Sequence, residues 1–436
     1  MPHETRALQE NPMTLSFDPL RDIASADPYP LYRALRDEAP VHRSRESGVV
    51  TVSRFEDVSH VLRSHDLFSS RAMMTLLTPG AAKDGSLPLS PRLLWFTARL
   101  LVRARINPML LRKHPSLIAS DGAQHDALRA VVNRGFSPRR IAAWEARARE
   151  IVAACVAKLD RGEAFELVED LSVPLPVTVI AEMLGVEPER QRDFKRWSDA
   201  IVASATGTNR SDPFKPELMQ AFYDLITYLS DVSRERARAP KNDLISAIVS
   251  RAEGEALHPQ DAMMFVILLL VAGNETTTNL IGNAVNALLD HPDQLARLAA
   301  NPALIPDAIE EVVRFDTPVQ AVFRVATIET EIAGVRIAKG EAVAALLASA
   351  NRDERRFSGA EHFDIARRPQ GHLGFGFGKH FCLGASLARL EARVALEALV
   401  PRLVGLAKRE AKPPIIESFI VRGPQRLELV KAPRAA

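Results

Sequence analysis

The segment Phe375-Gly-Phe-Gly-Lys-His-Phe-Cys-Leu-Gly384 constrains this chain more than any other, because a glycine-loosened loop delivers a single cysteine to a strongly patterned helix. After Cys382 the apolar residues Leu383, Leu387, Leu390, Val394 and Ala398 recur at helical spacing, with Arg389, Glu391, Arg393 and Glu397 mostly elsewhere on the wheel. A cysteine at a helix start faces unpaired backbone N–H groups and the positive end of the helix dipole. Both lower the thiol pKa and suit the sulfur to be a ligand. Gly376 and Gly378 let the backbone approach a flat partner with no Cβ in the way. Two readings compete. A lone cysteine is more often an inert core residue. Gly374-x-Gly376 opens like a dinucleotide loop, but the third glycine of that pattern is missing.

The loop resembles the haem-binding segment of the cytochrome P450 superfamily, Phe-Gly-x-Gly-x-His/Arg-x-Cys-x-Gly, matched at Phe375, Gly376, Gly378, His380, Cys382 and Gly384. The resemblance implies that these residues cradle haem b and that Cys382 is the thiolate ligand of its iron, with dioxygen as co-substrate. It also implies a mainly α fold with minor β structure, in which a long central helix and the cysteine loop enclose the haem. The likeness runs from about Asp27 to Val430.

Composition leaves few rivals. The chain has 436 residues, 47% hydrophobic and 25% charged, enough for a large core. A net charge of +2 argues against general nucleic-acid binding. The longest apolar run, Met263 to Gly273, is interrupted by Asn274 and Glu275 and is too short to span a bilayer. Met1 to Asn11 is polar and lacks a basic-then-apolar signal. These features predict a cytoplasmic protein, a monomer with no membrane or nucleic-acid partner. Without an internal linker or repeat, the chain reads as a loose segment, 1–26, and a single domain, 27–436. Cys155 lies in an Ala/Val-rich helical stretch and reads as a core residue, against a disulfide with Cys382.

Local patterns predict a short helix from Asp27, a strand over Gly48–Ser53, short β pieces between Phe323 and Leu347, and a terminal hairpin from Ser418–Gly423 and Leu427–Val430. Arg71 to Ser120 is irregular and partly apolar. A lid or binding loop, a surface helix and an interfacial helix are its three readings. Asp121 and Gln124 form a capping box for a helix to about Gly135, and Ser137-Pro138 starts the next. The longest helix runs from Pro259 to about Leu289, about 45 Å at the usual rise per residue. Its apolar residues occupy every face, so it is buried on most sides.

Within that helix, Ala272-Gly273-Asn274-Glu275-Thr276-Thr277 places an acid and an alcohol in a greasy segment, at a cost unless they have a task. Gly273 leaves room for a small ligand, and the Thr276 hydroxyl can bond back to the carbonyl four residues earlier. By resemblance this is the oxygen-binding groove, with Glu275 and Thr276 delivering protons. The resemblance further makes Glu311 and Arg314, an i,i+3 pair, structural supports of the haem loop. Arg367 stands in for the basic residue that the family often has where this chain has His362. His125, Arg129, Arg324 and His380 match the positions that bind the haem propionates. The substrate pocket falls to Leu268, Val271, Ala272, Val319, Val322, Phe419 and Ile420, mostly apolar, as for a terpenoid, steroid, fatty acid or polyketide-like compound.

No Gly-x-Ser-x-Gly, phosphate-loop or His-Glu-x-x-His motif offers another chemistry. The resemblance takes up almost the whole chain and leaves no room for a fused flavin or iron–sulfur domain, so it implies electrons from ferredoxin and ferredoxin reductase, or from flavodoxin, docking on a basic face of Lys379, Arg389, Arg393, Arg139 and Arg140. The expected activity is hydroxylation or epoxidation by a haem monooxygenase. The alternatives are a peroxygenase using hydrogen peroxide and a non-catalytic haem sensor.

Overall fold

A computed structural model describes residues 15–71, 95–96, 98–99, 102–103, 116–205, 215–250 and 255–432, with backbone alone at 198, 199 and 201–205. The N-terminal segment to residue 14 and most of the expected lid, 72–94 with much of 97–115, lie outside the described residues. The helices that frame the site are α1 (Gly122–Asn133), α2 (Glu145–Asp160), α3 (Pro174–Met183), α4 (Pro216–Arg238), α5 (Pro259–Asp290), α6 (Ile305–Phe315) and α7 (Ala385–Leu403).

Helix α5 starts as its sequence dictates. The His258 side chain accepts from the Gln260 N–H, and Pro259 occupies the first helical position, where its missing N–H costs nothing. Its 32 residues pack against α3, α4, α6 and α7. Met263, Val266, Leu270, Leu280, Ile281 and Val285 are buried in the principal core, shared with α2, α3 and α7. Although α5 is long and apolar enough to cross a membrane, more than half of its most apolar window is buried inside the protein. Midway the burial breaks: Ala272 is exposed, while Leu268, Leu269, Val271 and Thr276 are half-buried. Residues 268, 272 and 276 share one helical face, so α5 is packed at both ends and open on one side in the middle.

The main sheet runs, strand by strand, Val41–Arg43, Val50–Val52, Ala342–Leu346, Ala321–Ala326, Phe68–Ser69. Val50 pairs in parallel with Val343, and every other pairing is antiparallel. A separate hairpin, Thr330–Ile332 with Val335–Ile337, turns at Ala333 and Gly334, both at positive φ, as a tight two-residue turn requires. The expected C-terminal hairpin does not form. Glu428–Lys431 pairs instead with Phe165–Glu166 and Leu406–Lys408. Pro424 interrupts the run, and the preceding segment turns to the site, with Gln320 N–H donating to the Ile420 carbonyl at 2.7 Å and Arg422 N–H to that of Pro318 at 2.8 Å.

Candidate active site

The cysteine loop is held by its own backbone. Cys382 N–H donates to the Phe375 carbonyl at 2.8 Å and Gly376 N–H to that of Leu373 at 2.8 Å. Gly376 and Gly378 sit at φ of 72° and 69°, a region costly for any residue with a Cβ. Gly374 is required for another reason. A Cβ there would lie 2.3 Å from Val313 Cγ1 and 2.9 Å from the Val313 carbonyl oxygen, so the loop presses on α6.

Helix α7 begins at Ala385, and Cys382 precedes its N-cap, Gly384. Contrary to the sequence expectation, the thiol pKa is raised. Burial pushes it up, and the opposing pull of the Gly384 N–H, Arg129 and Arg389 does not compensate. Cys382 nevertheless has exposed surface. Both observations hold if the sulfur opens on an internal hollow rather than on bulk water. A metal ion there would reverse the balance, because a coordinated thiol is deprotonated outright.

On α5, Thr276 Oγ1 donates to the Ala272 carbonyl at 2.7 Å, the back-bond its position predicts. Glu275 is buried, and burial alone pushes its carboxyl up to about 8. It forms no ion pair among the described residues. Gly273 is half-buried, and a Cβ there would stand 3.0 Å from Ile180 Cδ1, so the glycine lets α3 pack closely against this part of α5. The open surface is at Ala272.

His125, Arg129, Arg324 and His380 converge from α1, the main sheet and the cysteine loop. The two imidazoles lie 4.3 Å apart, centroid to centroid, and His380 Nε2 is 3.0 Å from Ser70 Oγ. Burial, reinforced by Arg324, His125 and Arg129, drives the His380 pKa down to about 3. Burial likewise lowers Arg324 to about 10, Asp121 opposing weakly. Among the described residues Arg324 donates only to the Phe323 carbonyl, at 2.9 Å, and His125 Nε2 is buried with no partner, while its Nδ1 lies 3.1 Å from Asp126 Oδ1. Asp121 stands at the N-cap of α1 but does not cap it. Its carboxylate accepts from Ser69 Oγ and from the Ser70 N–H. Arg324 is a buried cation with no carboxylate hydrogen-bonded to it among the described residues, which is costly. A group carrying two carboxylates would relieve that cost, so the residues present fit haem: a sulfur with exposed surface, a buried guanidinium and an imidazole nitrogen without a partner among the described residues.

The supporting network is complete. Glu311, fully buried, accepts from Arg314 Nε and Nη2, both at 2.8 Å, from Arg367 Nε at 3.0 Å and from the Asp364 N–H at 3.0 Å. Arg367 thus occupies the third basic position, while His362 supplies its carbonyl to both arginines. Glu310, His372 and Glu391 were not anticipated. Glu391, placed by its spacing on the outer wheel of α7, is instead buried, with its carboxyl raised to about 8 by burial despite a hydrogen bond with Thr277. The expected basic docking face is largely neutralised. Lys379 pairs with Asp126 at 2.7 Å, Arg389 with Glu310 at 2.6 Å, and Arg393 with Glu145 at 2.8 Å and Glu397 at 3.0 Å.

Among the expected pocket residues, Leu268, Val271, Val319, Val322, Phe419 and Ile420 are half-buried. The 319 and 419 segments meet through a bridge between Val319 and Val421 and an edge contact of Phe323 with Phe419 at 5.8 Å. A separate small cleft, lined by Leu117, Leu128, Val132, Leu257, Met264 and Phe265, contains none of the site residues.

Residues 300–430 match the family model described as Cytochrome P450. The chain is 37% identical to the putative cytochrome P450 YjiB of Bacillus subtilis, over 86% of each protein. Among solved structures it is similar to cytochrome P450 CYP109Q5 of Chondromyces apiculatus, with 39% identity and a TM-score of 0.80 over 95% of this chain and 98% of that one. It is also similar to CYP109E1 of Bacillus megaterium in complex with corticosterone, with 35% identity and a TM-score of 0.78 over 93% and 98%.

Proposed function

This chain belongs to the cytochrome P450 superfamily and is a monooxygenase, and we propose that it hydroxylates or epoxidises a hydrophobic small molecule held between Cys382 and the open face of α5. The observation that carries the reading is the convergence on the cysteine loop of Cys382, which keeps exposed surface, with the buried guanidinium of Arg324 and a His125 Nε2 that has no partner among the described residues. When bound, haem supplies the iron at which dioxygen is activated. Cys382 holds it through the thiolate, and Phe375, Gly376 and Gly384 shape the cradle. His125, Arg129, Arg324 and His380 bind the propionates of haem b, and Glu311 and Arg314 brace the loop.

Glu275 and Thr276 manage protons. With its pKa raised to about 8, the Glu275 carboxyl keeps its proton at neutral pH and can give it up. The Thr276 hydroxyl is oriented by the Ala272 carbonyl at the open face of the helix. Leu268, Val271, Ala272, Val319, Val322, Phe419 and Ile420 offer apolar area and almost no fixed charge, which favours a ligand such as a steroid, terpenoid, fatty acid or polyketide-like compound. The corticosterone held by the CYP109E1 relative supports the steroid end of that range. Electrons come from ferredoxin and its reductase, or from flavodoxin. The same reading makes 27–436 one catalytic domain, acting as a cytoplasmic monomer.

The test is an optical titration of the haem-loaded protein with representatives of those compound classes, followed by turnover with NADPH and donor proteins. A steroid that shifts the Soret band and yields an oxygenated product supports the reading. Polar compounds that bind while every apolar one leaves the spectrum unmoved contradict it.

A further inference from the structure

Glu310, on α6 beside the buried Glu311, reaches both limbs of the cysteine loop. Its Oε1 accepts from Arg389 Nε at 2.6 Å and its Oε2 from Arg389 Nη2 at 2.8 Å, a bidentate contact with the helix that follows Cys382. On the other limb, the Gly374 N–H donates to His372 Nδ1 at 3.2 Å, which leaves the proton on Nε2, 3.0 Å from Glu310 Oε2. Arg389 is thereby laid over the Phe375 ring, its guanidinium carbon 4.3 Å from the centroid. Phe375 in turn lends its carbonyl to the Cys382 N–H. The guanidinium is thus fixed on the ring of the residue whose carbonyl ties down the Cys382 backbone, two helical turns from the sulfur along α7. A general basic surface needs none of this. A planar cation fixed by a bidentate carboxylate against one ring is a built arrangement, with its solvent side only partly exposed.

We infer that Glu310 is a positioning residue that clamps Arg389 over Phe375 so that a fixed positive charge beside the Cys382 sulfur sets the reduction potential of the bound iron. The inference rests on the reading of Cys382 as the ligand. Reduction adds one negative charge to the iron–sulfur unit, so a nearby cation favours the reduced state and raises the potential. Glu310 acts through Arg389. Without the carboxylate, the guanidinium swings toward water and its influence is lost.

The experiment is spectroelectrochemical titration of the haem-loaded protein and its Arg389→Gln, Arg389→Lys, Glu310→Gln and double Glu310→Gln/Arg389→Gln variants, with the carbonyl spectrum of each recorded first. Arg389→Gln is expected to lower the reduced-to-oxidised ratio at fixed potential by about tenfold, ~59 mV for one electron. Glu310→Gln should move the potential in the same direction and add nothing in the double variant. Arg389→Lys, which keeps the charge but not the bidentate geometry, should fall between. Glu310→Gln raising the potential, as simple removal of an anion would, overturns the inference. So do potentials that stay unmoved while every variant keeps the thiolate-type band. Loss of that band in the unaltered protein defeats the ligand assignment itself, a separate failure.

Discussion

Replacing Glu275 by glutamine should make the protein more stable in alkali and less useful as an enzyme. In the folded chain burial raises this carboxyl from 4.5 to about 8. The folded state therefore binds its proton more tightly than the unfolded state does. Below about pH 4.5 both states are protonated and folding is insensitive to pH. As pH rises toward 8 the unfolded chain ionises while the folded one must keep its proton, and stability is lost at about 1.4 kcal/mol per pH unit. By pH 8 the loss amounts to about 5 kcal/mol, an upper figure, comparable to the whole margin of a small domain. Glutamine preserves shape and has no proton to hold. Urea unfolding of the haem-loaded Glu275→Gln protein should thus show little gain over the unaltered protein at pH 4.5 and a gain of several kcal/mol at pH 8. A gain of equal size at both pH values, or none at pH 8, would refute the claim that this acid is held neutral by burial. That the chain keeps so costly a group in an otherwise apolar helix is the physical argument for its catalytic task.

Other perturbations separate support from chemistry. Thr276→Ala should leave haem and substrate binding intact but lower product formed per NADPH several-fold, with peroxide making up the difference; an unchanged ratio would reduce the hydroxyl to a helix back-bond. Gly374→Ala should cost about 1–3 kcal/mol, since its Cβ meets the Val313 carbonyl as well as a side chain, and should loosen haem retention; a neutral thermal shift would show that the loop does not press on α6. Arg367→Ala should destabilise by about 1–3 kcal/mol rather than abolish folding, because Arg314 still pairs with Glu311; denaturant melts distinguish the two.

What the sequence made legible was local. Cys382 and its glycines are neighbours in the chain, and the Thr276 back-bond spans one helical turn, so spacing alone foretold them. Arg367 was legible only through the family resemblance, which puts a third basic partner of Glu311 and Arg314 in the segment before the cysteine loop; the i,i+3 spacing of the pair does not by itself show burial. The misses are long-range or depend on orientation. Glu310 meets Arg389 and His372 from 79 and 62 positions away, and nothing in its own neighbourhood distinguishes it from Glu311. Asp121 has a capping residue's place but turns to Ser69 and Ser70, which fold against it from 52 and 51 positions earlier. Glu391 follows a charged pattern yet faces α5, since α7 is buried on more than one side. The lowered thiol pKa failed because the helix start lies beyond Cys382 and desolvation outweighs one amide and two cations.

The central claim, that Cys382 is the thiolate ligand of a haem enclosed by α5 and the cysteine loop, is tested most directly by the absorption spectrum of the reduced carbonyl complex. The unaltered protein should show the strongly red-shifted Soret band of thiolate ligation, and Cys382→Ser, purified with haem, should lack it. A serine variant that keeps that band would contradict the assignment and move the ligand to Cys155, the one other cysteine in the chain.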